Sequence, residues 1–258
     1  MANAAVTPID VAYPDVTDLQ LEIALAAGRL KLQPGATEPW VRGTYRDPSE
    51  SLPCRVKREG GTLRIASGWN PSALLGLLNG WPTLELGLGT EHPYTISLET
   101  GGSELDLALG GVPLQRLILK QGAGKGAVNF PSPNPSAMSL FQFSTGAGAM
   151  ELRNLANANC SEMLLEGGAA SCSCDFAGTL TRDTNVRIST GLSSVDVHVP
   201  ATTAARVSAK SVVGGVYPDR GWTLTDDVYS SPAAATGVSP VLRIHVSTAV
   251  GAVHLHLF

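Results

Sequence analysis

The stretch Phe141-Gln-Phe-Ser-Thr-Gly-Ala-Gly-Ala-Met-Glu-Leu152 decides how this chain is read. Phe141 and Phe143 alternate with polar residues, Gly146 and Gly148 form a small corner, and alternation resumes at Met150 and Leu152. Period two with one apolar face marks a half-buried strand. Here the two glycines let the backbone turn between two such runs.

The same design recurs along the chain. Ile96, Leu98, Leu105, Leu107 and Leu109 occupy equivalent inward places, as do Leu117, Leu119, Val128 and Phe130, with Gly126 at one place. Met163, Leu165, Cys172, Cys174 and Phe176 follow, then Val186, Ile188, Val195, Val197 and Val199. Ile244, Val246, Val253, Leu255 and Leu257 close the series. The corners fall at Gly101, Gly122, Gly146, Gly168, Gly191, Val212 and Ala249, with separations of 21, 24, 22, 23, 21 and 37 residues. A period of this size is one coil of a solenoid, a unit that cannot bury its apolar face alone and must stack. The reading is an all-β, single-chain β-solenoid, β-helix-like, with coils of about 21–24 residues.

Before the regular coils at 83–258, the segment 17–82 reads as N-terminal strands and a cap, and residues 1–16 as an extended arm with Pro8 and Pro14. Leu19, Leu21 and Ile23, then Leu30 and Leu32, face inward. Trp40–Arg46 reads as a strand and Cys54–Ser67 as a hairpin turning at Glu59-Gly60-Gly61. One short helix is expected near 71–79, with Asn70 as its N-cap, Pro71 in the first turn and Gly80 at its end. Open solenoid ends expose strand edges, so the arm and this helix are candidate caps. The long last separation reflects an insertion at 217–240, too long for a plain connection. Packing or capping is its favoured role, and Trp222, Asp226, Asp227 and Tyr229 are the residues on it that a partner would meet.

Composition narrows the function. Charged residues make up 16% and the net charge is −4, with no basic run longer than Arg55-Val-Lys-Arg58, so a nucleic-acid partner is not expected. Met1 to Thr17 lacks a basic region followed by an apolar run, which argues against a signal peptide. The longest apolar window, Ala73–Leu78, falls far short of the roughly 20 residues needed to span a bilayer. Any membrane tethering is therefore expected through segments outside this sequence. The four cysteines, Cys54, Cys160, Cys172 and Cys174, contain no C-x-x-C and are read as free thiols.

No catalytic set is recognisable, and neither a cofactor nor a metal is expected. Gly122-Ala-Gly-Lys-Gly126 imitates a phosphate loop, but position 126 is Gly where the motif needs Ser or Thr, and no helix follows. His254 and His256 share a face, with His198 and Asp196 at matching places on another coil. Imidazoles so arranged can hold a metal, but the register puts them outward, where solvated histidines are the simpler reading. Cys172 and Cys174 fall on inward places, where Cys acts as a small apolar residue.

The serial corners resemble the toast-rack type of bacterial domain. The resemblance is carried by Leu98-Glu-Thr-Gly-Gly-Ser-Glu-Leu-Asp-Leu107, Leu119-Lys-Gln-Gly-Ala-Gly124, Phe143-Ser-Thr-Gly-Ala-Gly148 and Ile188-Ser-Thr-Gly-Leu-Ser-Ser-Val195. Leu86-Gly-Leu-Gly and the closing Leu242-Arg-Ile-His-Val-Ser-Thr248 are similar to the subgroup named for a cell-wall-active antibiotics response (LiaF-like). It covers 83–258 well and 17–68 loosely. The resemblance implies a solenoid domain, often joined to membrane helices, in proteins linked to envelope-stress sensing. Many such relatives are uncharacterised or labelled adhesins, and no catalytic residues are implied. The expected function is a non-enzymatic binding or sensing scaffold at the bacterial cell envelope, with an unidentified protein or envelope component as partner. A structural or adhesive surface module is the alternative, and an enzyme or metal-dependent protein at the His254/His256 face is a third reading.

Overall fold

The computed structural model describes residues 5–48, 52–68, 80–237 and 239–258. The helix expected near 71–79 lies outside the described residues. Within them the chain forms β1 (Ala5–Val11), β2 (Gln20–Pro34), β3 (Val41–Asp47), β4 (Cys54–Glu59), β5 (Thr62–Ser67) and β6 (Thr83–Leu88). The long bent strands follow: β7 (Tyr94–Ala108), β8 (Leu114–Asn129), β9 (Met138–Arg153) and β10 (Cys160–Asp175). Later coils break at the corner into pairs, β11 (Thr184–Leu192) with β12 (Val195–Val199) and β13 (Ala205–Val213) with β14 (Val216–Pro218). The hairpin β15 (Thr223–Thr225) and β16 (Val228–Ser230) precedes the last coil, β17 (Leu242–Val250) with β18 (Val253–Leu257).

Parallel pairing stacks these coils in register, with one irregularity where β7 and β8 begin, between Tyr94 and Thr95. Thr100, Gln121, Thr145, Gly167, Thr190, Thr248 and Ser211 form one row, and each stands immediately before a corner. The corners at 101, 122, 146, 168, 191, 249 and 212 are thus superimposed, as the repeat predicts. Both halves of every coil turn their apolar residues toward one continuous core. All the inward residues read from the repeat are buried except Leu257, which is half-buried at the end of its strand. Gly126 interrupts the row Leu105, Met150, Cys172, and the opposite half of the next coil fills the gap. A Cβ on Gly126 would lie 2.3 Å from Cζ of Phe143.

Spatial order departs from sequence order at both ends. The first coil, β2, lies between β7 on one side and β5 and β6 on the other. The last coil, β17–β18, lies between β11–β12 and β13–β14. For the last two coils the stacking order is therefore not the order of the sequence. A repeat fixes which face a residue takes and leaves open which neighbour it pairs with. Asp183 clips the inserted coil in place, accepting from the Val241 backbone N–H at 2.9 Å and from Arg243 at 3.0 Å. These contacts, the backbone one foremost, hold its carboxyl below the usual range.

Antiparallel strands close both ends. At one end the arm residues Ala5–Val11 form β1, which pairs with β3, and β3 with β6. Beside them β4 pairs with β5. Arg55, Lys57 and Arg58 project from β4, so the basic run marks a charged outer strand, a common protection against edge-to-edge pairing. At the other end β13 pairs with β16, and β16 with β15.

On the loop side a buried asparagine bridges coils. Asn134 Oδ1 accepts from the backbone N–H groups of Leu114 and Ser136, and its Nδ2 donates to the carbonyls of Leu114 and Ala158. Asn157 likewise joins Phe130 to Thr179. These amides satisfy backbone groups that the ladder leaves over where the chain turns to the next coil.

At the corners backbone meets backbone. A Cβ on Gly146 would lie 2.5 Å from the Gly122 carbonyl oxygen, and one on Gly168 would meet the Gly146 oxygen at the same distance. Gly148 is tighter, with φ 129° and 1.8 Å to the Gly124 oxygen. Gly148→Ala should therefore lose about 3 kcal/mol or more in urea unfolding. Gly102→Ala, where a Cβ meets nothing within 4 Å, should stay within about 0.5 kcal/mol of the parent.

Candidate functional site

Three features of the C-terminal coils present chemistry to the outside. The first is the insertion. Trp222 and Tyr229 are half-buried and pack against the core, and Tyr229 pairs with Val207 on β13 and Leu224 on β15. Asp226 and Asp227 are exposed and form the turn between β15 and β16, with φ 50° and 60°. A two-residue hairpin turn with both central residues left-handed favours Asp, Asn and Gly. The acids thus have a conformational reason to be there, while the two aromatics face the scaffold.

The second feature was not read from the sequence. Leu192 pairs with Val250, and Val250 with Val213, just after the corner. Their exposures are 61%, 41% and 60%. Val212, at the corner itself, is also exposed. The corresponding places on earlier coils are Gly102, Ala123, Ala147 and Ala169. The row swells from small residues to branched aliphatic ones on the last three coils. The signal available in the sequence was that Leu and Val replace Gly and Ala at one repeat position.

The third feature is the outward face of β12, β18 and β14. Pairing puts Asp196 beside His254 and His198 beside His256. On the other side Tyr217 flanks His254, and Asp219 follows past the end of β14. The rings stack: His198 and His256 are 4.4 Å apart, His254 and His256 6.1 Å, Tyr217 and His254 5.3 Å, all near-parallel. His256 Nδ1 lies 3.2 Å from Asp219 Oδ2, and its Nε2 lies 3.6 Å from Asp196 Oδ1. One ligand-type atom from each of Asp196, His254 and His256 falls within 4.8 Å of the others. The sequence grouped the histidines with Asp196. It missed Asp219, which lies beyond the strand and outside the alternating pattern.

The remaining candidates resolve into structure. The Gly122–Gly126 stretch is a corner of β8, where Lys125 pairs with Glu151 at 2.8 Å. All four cysteines are free. Cys172 and Cys174 face the core with their sulfurs 3.4 Å apart. The contact with Cys172, together with burial, pushes the Cys174 thiol well up. Burial raises Cys160 to about 12 and Cys54 to about 11. Raised thiols of this kind at Cys54, Cys160 and Cys174 stay protonated at neutral pH and are poor nucleophiles. Among the described residues, no serine, threonine or cysteine hydroxyl or thiol is hydrogen-bonded to a histidine.

A family model described as the N-terminal domain of toast_rack, DUF2154, matches residues 3–140. The chain belongs to the toast_rack family. The match spans β1 to β8 and reaches the first residues of β9, so it includes the region 17–68 that resembles the family loosely. The apolar row and the histidine face lie beyond it. No curated protein matches the chain. Solved structures similar to this toast_rack chain include a "putative cell adhesion protein" from Clostridium sporogenes, 16% identical, covering 99% of this chain and 100% of that one, TM-score 0.49. Another is a "putative lipid binding protein" from Parabacteroides distasonis, 12% identical over 98% and 97%, TM-score 0.43. A third is a "putative adhesin" from Bacteroides fragilis, 10% identical over 98% and 97%, TM-score 0.35. Among the described residues no helix is long and apolar enough to cross a membrane.

The thiols give a direct check. Native protein should react slowly with a thiol reagent at pH 8, Cys54 first, and all four cysteines should react once it is unfolded. In the pH dependence of stability, the thiol contribution is complete below about 9, the ordinary value for cysteine. It should fall as pH rises from there towards 12, because the unfolded chain sheds protons that folded Cys54 and Cys160 retain.

Proposed function

We propose that this toast_rack chain is a non-enzymatic binding scaffold of the bacterial cell envelope, engaging a protein or envelope component through the corner of its last coils. The observation that carries the reading is the exposed row Leu192, Val250, Val213. Contiguous aliphatic residues on an outer corner cost solubility and are a frequent mark of an interaction surface. The ladder beneath fixes their backbones, so little ordering cost accompanies binding. Family membership supports the envelope setting, and the protonated buried thiols support a non-catalytic role. The insertion contributes as a cap that holds β13 in place, with Asp226 and Asp227 at its rim.

The test is cross-linking in the native host, comparing the full-length protein with a Leu192→Ser, Val213→Ser, Val250→Ser variant. These positions are exposed, so the variant's unfolding free energy in urea should stay within about 1 kcal/mol of the parent's. The expected result is an adduct with an envelope component that the variant loses. Equal adducts from both proteins would remove the apolar row from the reading, and recovery of the protein wholly outside the envelope fraction would remove its setting.

A further inference from the structure

The stacked histidine face has the makings of a metal centre. Its parts come from three coils and are brought together by the inserted last strand. β18 carries His254 and His256, β12 on one side carries Asp196, and the chain leaving β14 on the other side carries Asp219. The backbone positions are fixed by the ladder, and the Asp219 N–H donates to the Leu255 carbonyl at 2.8 Å. Val195, Val197, Val253 and Leu255 alternate with these residues and are fully buried, so the polar set is held on a rigid base.

The distances fit an ion of zinc's size. Nitrogen and oxygen ligands at about 2.0–2.2 Å in tetrahedral array lie roughly 3.3 Å from one another. His256 Nε2 and Asp196 Oδ1 are already 3.6 Å apart. The widest separation in the trio is bounded at 4.8 Å, so adjustment of part-exposed side chains by about an ångström closes it. Asp219 supplies what metal-binding histidines commonly have, a carboxylate on the other ring nitrogen. Its oxygen lies 3.2 Å from Nδ1, so it can accept a hydrogen bond from that nitrogen in the tautomer a metal ligand needs, with Nε2 turned toward Asp196. Asp196 within the trio and Asp219 beside it supply two carboxylates, which balance a dication. Imidazole with carboxylate suits zinc and its neighbours rather than calcium or magnesium, which take oxygen ligands.

We propose that Asp196, His254 and His256 bind a divalent transition-metal ion, zinc being the natural occupant, with Asp219 orienting His256 and a fourth position open to solvent. His198 stacks on the His256 ring and is not a ligand. The open position, on a face that Asp196 leaves 37% and Asp219 48% exposed, is available to water or to a donor from another molecule. This inference is independent of the apolar row, and either can fail without the other.

The experiment uses the full chain without an affinity tag, stripped with chelator and titrated with zinc by calorimetry and with cobalt by visible absorption. The expected result is saturation at about one ion per chain. Asp196→Asn and His254→Ala should each weaken binding at least tenfold and alter the cobalt spectrum. Asp219→Asn should weaken it about 10–100-fold while leaving stoichiometry intact. His198→Ala should change affinity less than about threefold, as expected of a residue outside the coordination sphere. Metal-free melting temperatures close to the parent's would show that each variant still folds. Absence of saturable binding would overturn the proposal and leave the face as stacked rings with ion pairs. Undiminished binding in a His254→Ala, His256→Ala double variant would overturn it too, by placing the metal elsewhere.

Discussion

Backbone crowding at the corners governs this molecule. At five of the corners a carbonyl oxygen of the lower coil lies against a glycine Cα of the upper one, too close for a side chain, while the last two coils carry Ala249 and Val212 there. Gly101, Gly122, Gly146, Gly168 and Gly191 each stand against a carbonyl of the coil beneath, four times that of the previous corner glycine and once, for Gly101, that of Ala26. The approach can be met in only one register. A slip by one residue would put a side chain into a space that has none, and would also turn the apolar set outward. Once the corners superimpose, everything else follows in rows: inward residues above inward residues, polar above polar, amide hydrogen bonds continuous between coils. The repeat in the sequence is the trace of that requirement.

Much of the fold was legible because corners and alternation are local properties. Phe141 and Phe143 announce their face by their spacing, and Gly146 announces the bend. The pairing of β17 with both β11 and β13 was not legible, because residues 205–218 and 242–258 have similar patterns and either could follow β12. What decides is specific: the Asp183 clip on Val241 and Arg243, and the hairpin of 223–230, which covers β13 and would be stranded inside the stack in the serial order. Asn134 was invisible for a different reason. Its four hydrogen bonds join three coils on the loop side, and nothing in an Asn-Pro dipeptide reveals which carbonyls and amides will be left over there.

The outer faces show the same division. Alternation put His198, His254 and His256 outward, and correctly gave them one side with Asp196. It did not show that His254 abuts Asp196 directly, since that contact depends on the last coil moving in next to β12. Asp219 carries no period at all. In the insertion the position is reversed: Trp222 and Tyr229 look like recognition residues in a list of composition, and become packing residues once a cap needs an apolar underside. The exposed aliphatic row was overlooked because single Leu and Val residues at loop corners attract no notice until the ladder lines them up.

The placement of the final coil bears on how the molecule comes to be made. Strands β13 and β14 leave the ribosome before β17 and β18, yet β17 and β18 are the parallel partners they require. The growing stack therefore ends at β11 and β12 with its edge open while the next forty or so residues emerge. Assembly at this end cannot run in the direction of translation. Residues 242–258 act as a keystone: they continue the ladder from β11 and β12 on one side and give β13 and β14 their parallel partner on the other. A chain cut short before Leu242 loses more than its tail, because the coil at 205–218 would then have no parallel rung to rest on.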